Sequence, residues 1–122
     1  MKKIIFSFLG AILAVGIFYG CDRQSDQAST DEIKIGVILG FTGPIESLTP
    51  TMASSAELAM KEVSDSGLLL GGASVSSVRA DSTCVDAGAA TSAAERLVTS
   101  DNVAAIMGAD CSGVTTAIAN NV

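Results

Sequence analysis

Ile33-Lys34-Ile35-Gly36-Val37-Ile38-Leu39 runs straight into Gly40-Phe41-Thr42-Gly43-Pro44, and the reading of this junction decides the fold. In an extended chain Ile33, Ile35, Val37 and Leu39 fall on one face, and Ile38 adds an apolar side chain to the other. A strand that is apolar on both faces belongs in the interior of a parallel sheet, where both faces are covered. Gly43-Pro44 then punctuates a loop over Gly40–Pro50. Parallel neighbours cannot be joined by a tight hairpin, so a crossover helix has to follow.

The downstream residues supply it. Met52, Ala56, Ala59, Met60 and Val63 share one helical face, which predicts a helix over 51–66. Thr49 is the expected N-cap, Pro50 the first helical residue, and Gly67 the stop. Leu68–Gly72 reads as a turn. Ala73–Asp81 reads as a second strand because one is needed between two helices, although Val75 and Val78 stand three apart, which is not strand alternation. Asp86–Ser100 reads as a second helix, capped by Asp86, with Ala90, Ala93, Ala94, Leu97 and Val98 on one face. Val103–Gly108 follows as a third buried strand. Ser112 then opens a third helix through Thr115, Ala117, Ile118 and Asn121. The order βαβαβα predicts an α/β chain: part of a Rossmann-like three-layer lobe on a parallel sheet with right-handed crossovers.

Upstream, Met1-Lys2-Lys3 precedes a stretch without charge from Ile4 to Gly20, the shape of a secretory signal. Its close, Ile17-Phe18-Tyr19-Gly20-Cys21, resembles the lipobox of bacterial lipoproteins. That resemblance implies cleavage before Cys21, lipidation of Cys21 and, from Asp22, retention at an inner membrane. The other reading is an uncleaved anchor, although these 17 residues fall short of the roughly 20 needed to span a bilayer. Under either reading Lys2 and Lys3 hold the N-terminus inside and the rest of the chain outside the cytoplasm. Arg23–Glu32 has no large apolar residue to offset its ordering entropy. The expected organisation is therefore a signal over 1–20, a flexible tether over 21–32 and a domain over 33–122.

Composition narrows the function. The chain has 122 residues, no His, no Trp and a formal charge of −6. Without its first 20 residues it keeps five cationic side chains against 13 acidic ones, a charge of −8. Ser-His-Asp and Cys-His catalysis are excluded, as are zinc sites with His ligands. An acidic surface is unsuited to nucleic acid, which demands Lys and Arg against phosphate. No Gly-rich phosphate loop follows the first strand, which disfavours a Rossmann-like nucleotide enzyme. No cofactor is expected.

In a parallel α/β sheet ligands sit beyond the carboxyl ends of the strands. Three loops occupy that edge: Phe41–Pro50, Ser82–Asp86 and Ala109–Gly113. Cys84 and Cys111 lie in two of them and, outside the cytoplasm, are expected to form a disulfide. Two buried thiols are the other reading. In a sheet ordered 2-1-3 their strands are two spacings apart, roughly 9–10 Å, beyond disulfide reach unless the loops lean together. Ser112 stands at a helix start, where its hydroxyl and the first amides can meet a carboxylate. Its position alone reads first as an N-cap, the commonest use of Ser there. Thr42, Glu46 and Ser47 could face a ligand or merely shape a turn. Asp81, Asp86 and Asp110 read as caps and solvated charges rather than a metal site.

IKIGVILGFTGP, ELAMKEV, GLLLGG, a strand ending in Ala80-Asp81 before Cys84, AAERLV and VAAIMGADCSGVTTAIAN occur in that order over Ile33–Val122. This pattern resembles the N-terminal part of periplasmic binding proteins for branched-chain amino acids, the two-lobed type I receptors of ABC importers. The resemblance implies a Cys84–Cys111 disulfide and contact of Ser112, with the Gly113 amide, to the α-carboxylate of a bound amino acid. It also places Ser47 and Leu48 in the cleft. It implies an amino acid ligand, permease subunits as partners and a periplasmic, lipid-anchored receptor rather than an enzyme. The type I cleft lies between two lobes, so the chain is expected to be the opening third of a longer receptor. A stand-alone extracytoplasmic sensor of the same fold is the alternative.

Overall fold

A computed structural model describes residues 31–122; the expected signal, Cys21 and nearly all of the expected tether lie outside them. The elements are β1 (Glu32–Leu39), α1 (Thr49–Ser66), β2 (Ser74–Asp81), α2 (Ala87–Thr99), β3 (Ala105–Gly108) and α3 (Ser112–Asn121), with a 3₁₀ turn over Leu69–Gly71. The three strands form one sheet in the order β2-β1-β3. Both pairings are parallel, with Val37 opposite Arg79 on one side and Met107 on the other. The apolar run that opens the chain is thus the central strand.

Alternation along β1 divides the core in two. Val37 and Leu39 pack with Ala53 of α1, and with Met60, Phe41 and Met107 around them. Ile38 points the other way, into Ala80, Ala94 and Leu97, where Ile118 of α3 also packs. The result is three layers: α1, the sheet, and α2 beside α3. Two crossovers that leave β1 in opposite directions put their helices on opposite faces when both are right-handed. At Gly36 the strand yields its side chain to Leu97: a Cβ there would lie 2.9 Å from Leu97 Cδ1.

Several sequence expectations are corrected. Thr49 is not the N-cap of α1. Leu48 holds that position without a side-chain cap, and Thr49 is the first helical residue. The Thr49 hydroxyl is buried and donates instead to the Gly40 carbonyl, 3.0 Å away. Of the expected α1 face, Met52 and Val63 are exposed and Ala53 takes the buried place, because among the described residues α1 alone covers its side of the sheet and meets it along a narrow stripe. Val98 of α2 is likewise exposed, while Ala90, Ala94 and Leu97 are fully buried. β3 is shorter than Val103–Gly108 and half-exposed. Val103 and Ala104 turn out of helical and strand pairing to donate to Leu97 and Lys34 carbonyls, and among the described residues nothing pairs with the outer side of β3. β2 is an edge strand of small residues, which explains its lack of apolar alternation. Asp86 caps α2 as expected, accepting from the Ala89 amide at 2.9 Å.

An apolar trough of about 340 Å³ runs beside α1, lined by Ile35, Ala56, Ala59, Met60, Val63 and Met107, with Val75 at its side. Among the described residues no helix is long and apolar enough to cross a membrane.

Candidate functional site

The strand order reverses at β1: the chain first steps to β2, then returns across β1 to β3. The crevice outside such a reversal, between the loops after β1 and β3, is where open α/β sheets take ligands. The four expected ligand residues lie at these two places in the chain. Ser47 and Leu48 end the loop after β1 and are exposed, Leu48 at 60%. Ser112 and Gly113 begin α3 after β3 and are exposed too. The N-cap of α3 is Cys111, in extended conformation, and no side chain caps the helix. Ser112 therefore has no capping duty, and the first α3 amides have no intrahelical acceptor. The next amide, of Thr115, is already bonded to Cys111 O at 3.0 Å.

The three loops at this edge are stitched together. Cys84 and Cys111 are joined by a disulfide with their Cα atoms 5.2 Å apart. Their strands are not neighbours, so the bond passes over the end of β1. Gly40 makes the passage possible: a Cβ on it would lie 3.2 Å from Cys84 Cβ. Thr83 and Cys84 take left-handed backbone conformations, with φ of 58° and 68°, to bend the β2 loop over β1. Gly108 serves the same end from the other side; its φ is 119° and a Cβ would fall 1.9 Å from Ile38 O.

Two carboxylates complete the stitching. Asp81 accepts from the Thr42 hydroxyl at 2.5 Å, the Thr42 amide at 3.3 Å and the Thr83 amide at 2.8 Å. Partial burial pushes the Asp81 carboxyl up, but these donors outweigh it and hold the group below its ordinary value. Asp110 accepts from the Gly40 amide at 2.9 Å and the Ser82 hydroxyl at 3.3 Å. Asp81 and Asp110 thus cap no helix and instead tie loops together. Among the described residues no three His, Cys, Asp or Glu side chains gather as a metal site. Sequence reading missed both carboxylates as organisers. The signal lay in Thr42-Gly43: Gly43 has φ of 93° and would clash with Thr83 O if it had a side chain, so a close loop contact was written there.

Farther along the β2 edge, Arg79 forms a two-pronged bond with Glu57, at 2.6 and 2.7 Å, and lies 5.6 Å from the centre of the Phe41 ring. The Arg79 bond lowers the Glu57 carboxyl below its ordinary value against a small opposing effect of burial.

The lobe thus carries its strand reversal and the exposed start of α3 at one edge of a parallel sheet. The profile of the family described as periplasmic binding protein matches residues 32–122. The chain belongs to that family, and its fold is that of the type I members. It is 30% identical to the leucine binding protein LivK of Thermotoga maritima, with a TM-score of 0.61, over 72% of this chain and 24% of that one. It is 28% identical to the branched-chain amino acid transporter substrate binding protein LivJ of Streptococcus pneumoniae, solved with isoleucine, with a TM-score of 0.66 over 75% of this chain and 26% of that one. An extracellular ligand-binding receptor of Rhodopseudomonas palustris is 28% identical, with a TM-score of 0.61 over 75% and 23% of the two chains. The chain thus spans about a quarter of the length of these solved relatives. No curated protein matches it.

Proposed function

We propose that this chain provides the carboxylate-binding side of the cleft in an extracytoplasmic receptor for amino acids, branched-chain or similar, that serves an ABC importer. The observation that carries it is the start of α3 at the strand reversal, where the exposed Ser112 and Gly113 are free of capping. Helix amides and a hydroxyl bind a carboxylate without a basic side chain, and Arg79 of β2 is already paired with Glu57. Ser47 and Leu48 form the facing wall. The names of LivK and LivJ support the ligand class, and both are named as binding proteins rather than enzymes. Residues 1–20 act as the export signal and Cys21 as the lipidated anchor, with the permease as partner.

Titration of the ¹⁵N-labelled chain, residues 21–122, with leucine, isoleucine and valine tests this reading. One wall of a cleft binds weakly, with Kd on the order of 1 mM, about −4 kcal/mol. Saturable shifts are expected at the Ser112 and Gly113 amides. Shifts confined to other regions, or none, reject the assignment.

A further inference from the structure

We propose that Asp110 is a positioning residue for this crevice: its carboxylate fixes the direction in which α3 presents its first amides. The inference rests on the ligand reading above for its consequence, but its geometry stands apart from it. One Asp110 oxygen takes the Gly40 amide at the end of β1, and the other takes the hydroxyl of the fully buried Ser82 just past β2. A single side chain from the β3–α3 loop thereby touches the carboxyl ends of both other strands. The disulfide at the next residue ties the same loop to β2. One link fixes a point and leaves rotation about it; a second link on the adjacent residue fixes a direction. The Thr115 hydroxyl carries this forward, donating to Ala109 O at 2.8 Å and Cys111 O at 2.9 Å, so the first turn of α3 is bonded to the segment that Asp110 anchors. Ser112 and Gly113 lie two and three residues beyond the anchor.

The same chemistry separates charge from connection. An Asn at this position keeps an acceptor for Gly40 and offers a donor to the Ser82 hydroxyl, so it preserves both links. An Ala removes both. A Ser keeps polarity but is too short to span them.

The test compares the ¹⁵N-labelled chain, residues 21–122, with Asp110→Ala, Asp110→Ser and Asp110→Asn, the disulfide intact in each. In Asp110→Ala and Asp110→Ser the Gly40 amide is expected to exchange its hydrogen about tenfold faster, the loss of a charge-assisted bond, while the Ile38 amide keeps its rate. Asp110→Asn restores slow exchange at Gly40. Leucine-induced shifts at Ser112 and Gly113 are lost in the first two variants and restored in the third. Wild-type exchange at Gly40 in Asp110→Ser, or an unchanged leucine response there, overturns the role of Asp110. Absence of any leucine response in the parent chain overturns the ligand reading instead, and leaves the exchange result to decide the anchor alone.

Discussion

The hydroxyl of Thr49 donates to the carbonyl of Gly40 across nine positions of chain, with Thr49 fully buried. This bond closes the loop after β1 on itself and sets where α1 begins. Thr49→Val keeps the shape and removes the donor, leaving a buried carbonyl unpaired. A loss of about 1–3 kcal/mol is expected, read as a lower urea midpoint with an unchanged slope. An unchanged midpoint would show that water replaces the hydroxyl.

Gly36 and Leu97 share one space, with only 2.9 Å between an added Cβ and Leu97 Cδ1. Leu97 is itself fully buried against Ile38 and Ala94 and has nowhere to retreat. Gly36→Ala gains backbone entropy but overpacks the core, for a net loss of about 1–2 kcal/mol. Adding Leu97→Val opens the space, so the double variant is expected to be more stable than the sum of the singles by about 0.5 kcal/mol or more. Strict additivity in urea titrations would refute the shared-space account.

The Cys84–Cys111 bond closes a loop of 27 positions. The chain-entropy relation assigns such a loop about 3.5 kcal/mol. Replacing both cysteines by Ser is expected to lower stability by roughly that amount, and dithiothreitol to do the same to the parent chain. A reduced chain as stable as the oxidised one would contradict this.

Acid destabilises the same edge. The Asp81 carboxyl sits below its ordinary value in the folded chain, so the unfolded chain takes up its proton first as pH falls. The contribution of Asp81 is complete above the ordinary Asp value and is lost as pH drops through the lowered one. Glu57, lowered chiefly by its bond from Arg79, adds in the same direction. Urea midpoints from about pH 6 to about pH 2.5 are expected to fall at the acid end, and Asp81→Asn to flatten part of that fall. An equally steep fall in Asp81→Asn would locate the effect elsewhere.

Ser112→Ala removes one donor from the proposed carboxylate contact and leaves the α3 amides in place. Leucine binding is expected to weaken by about 1–3 kcal/mol, with the Gly113 amide still responding. Identical titration curves for the parent and Ser112→Ala would remove Ser112 from the site.

Most of the fold was legible because its signals are local. The run from Ile33 to Leu39 announces a central strand by being apolar on both faces, and the repeats in α1 and α2 announce helices. What was not legible depended on partners. Whether Met52 or Ala53 faces the sheet turns on how α1 sits. Thr49 looks like any N-cap until Gly40 is seen beside it. At the site, the sequence pattern places a helix start and a loop at the strand ends, but Ser112, Gly113, Ser47 and Leu48 are nominated through the family resemblance, because position alone leaves Ser112 an N-cap. Asp81 and Asp110 could not be assigned, because their donors lie 39 and 70 positions away.

Among the described residues α1 is the one helix over its face of the sheet, and its attachments are one-sided. At its start α1 is held by Thr49 to Gly40 just past β1, and along its β2 side by Glu57 to Ser77 and Arg79 and by Ser64 to the Val75 amide at 2.7 Å. Along its other side it meets only the apolar trough above Ile35 and Met107. Polar bonds are directional and fix that edge of α1 in register with β2, whereas apolar contact along the other edge is non-directional. The proposed wall of Ser47 and Leu48 is therefore joined directly to the end of α1 that is bonded to Gly40.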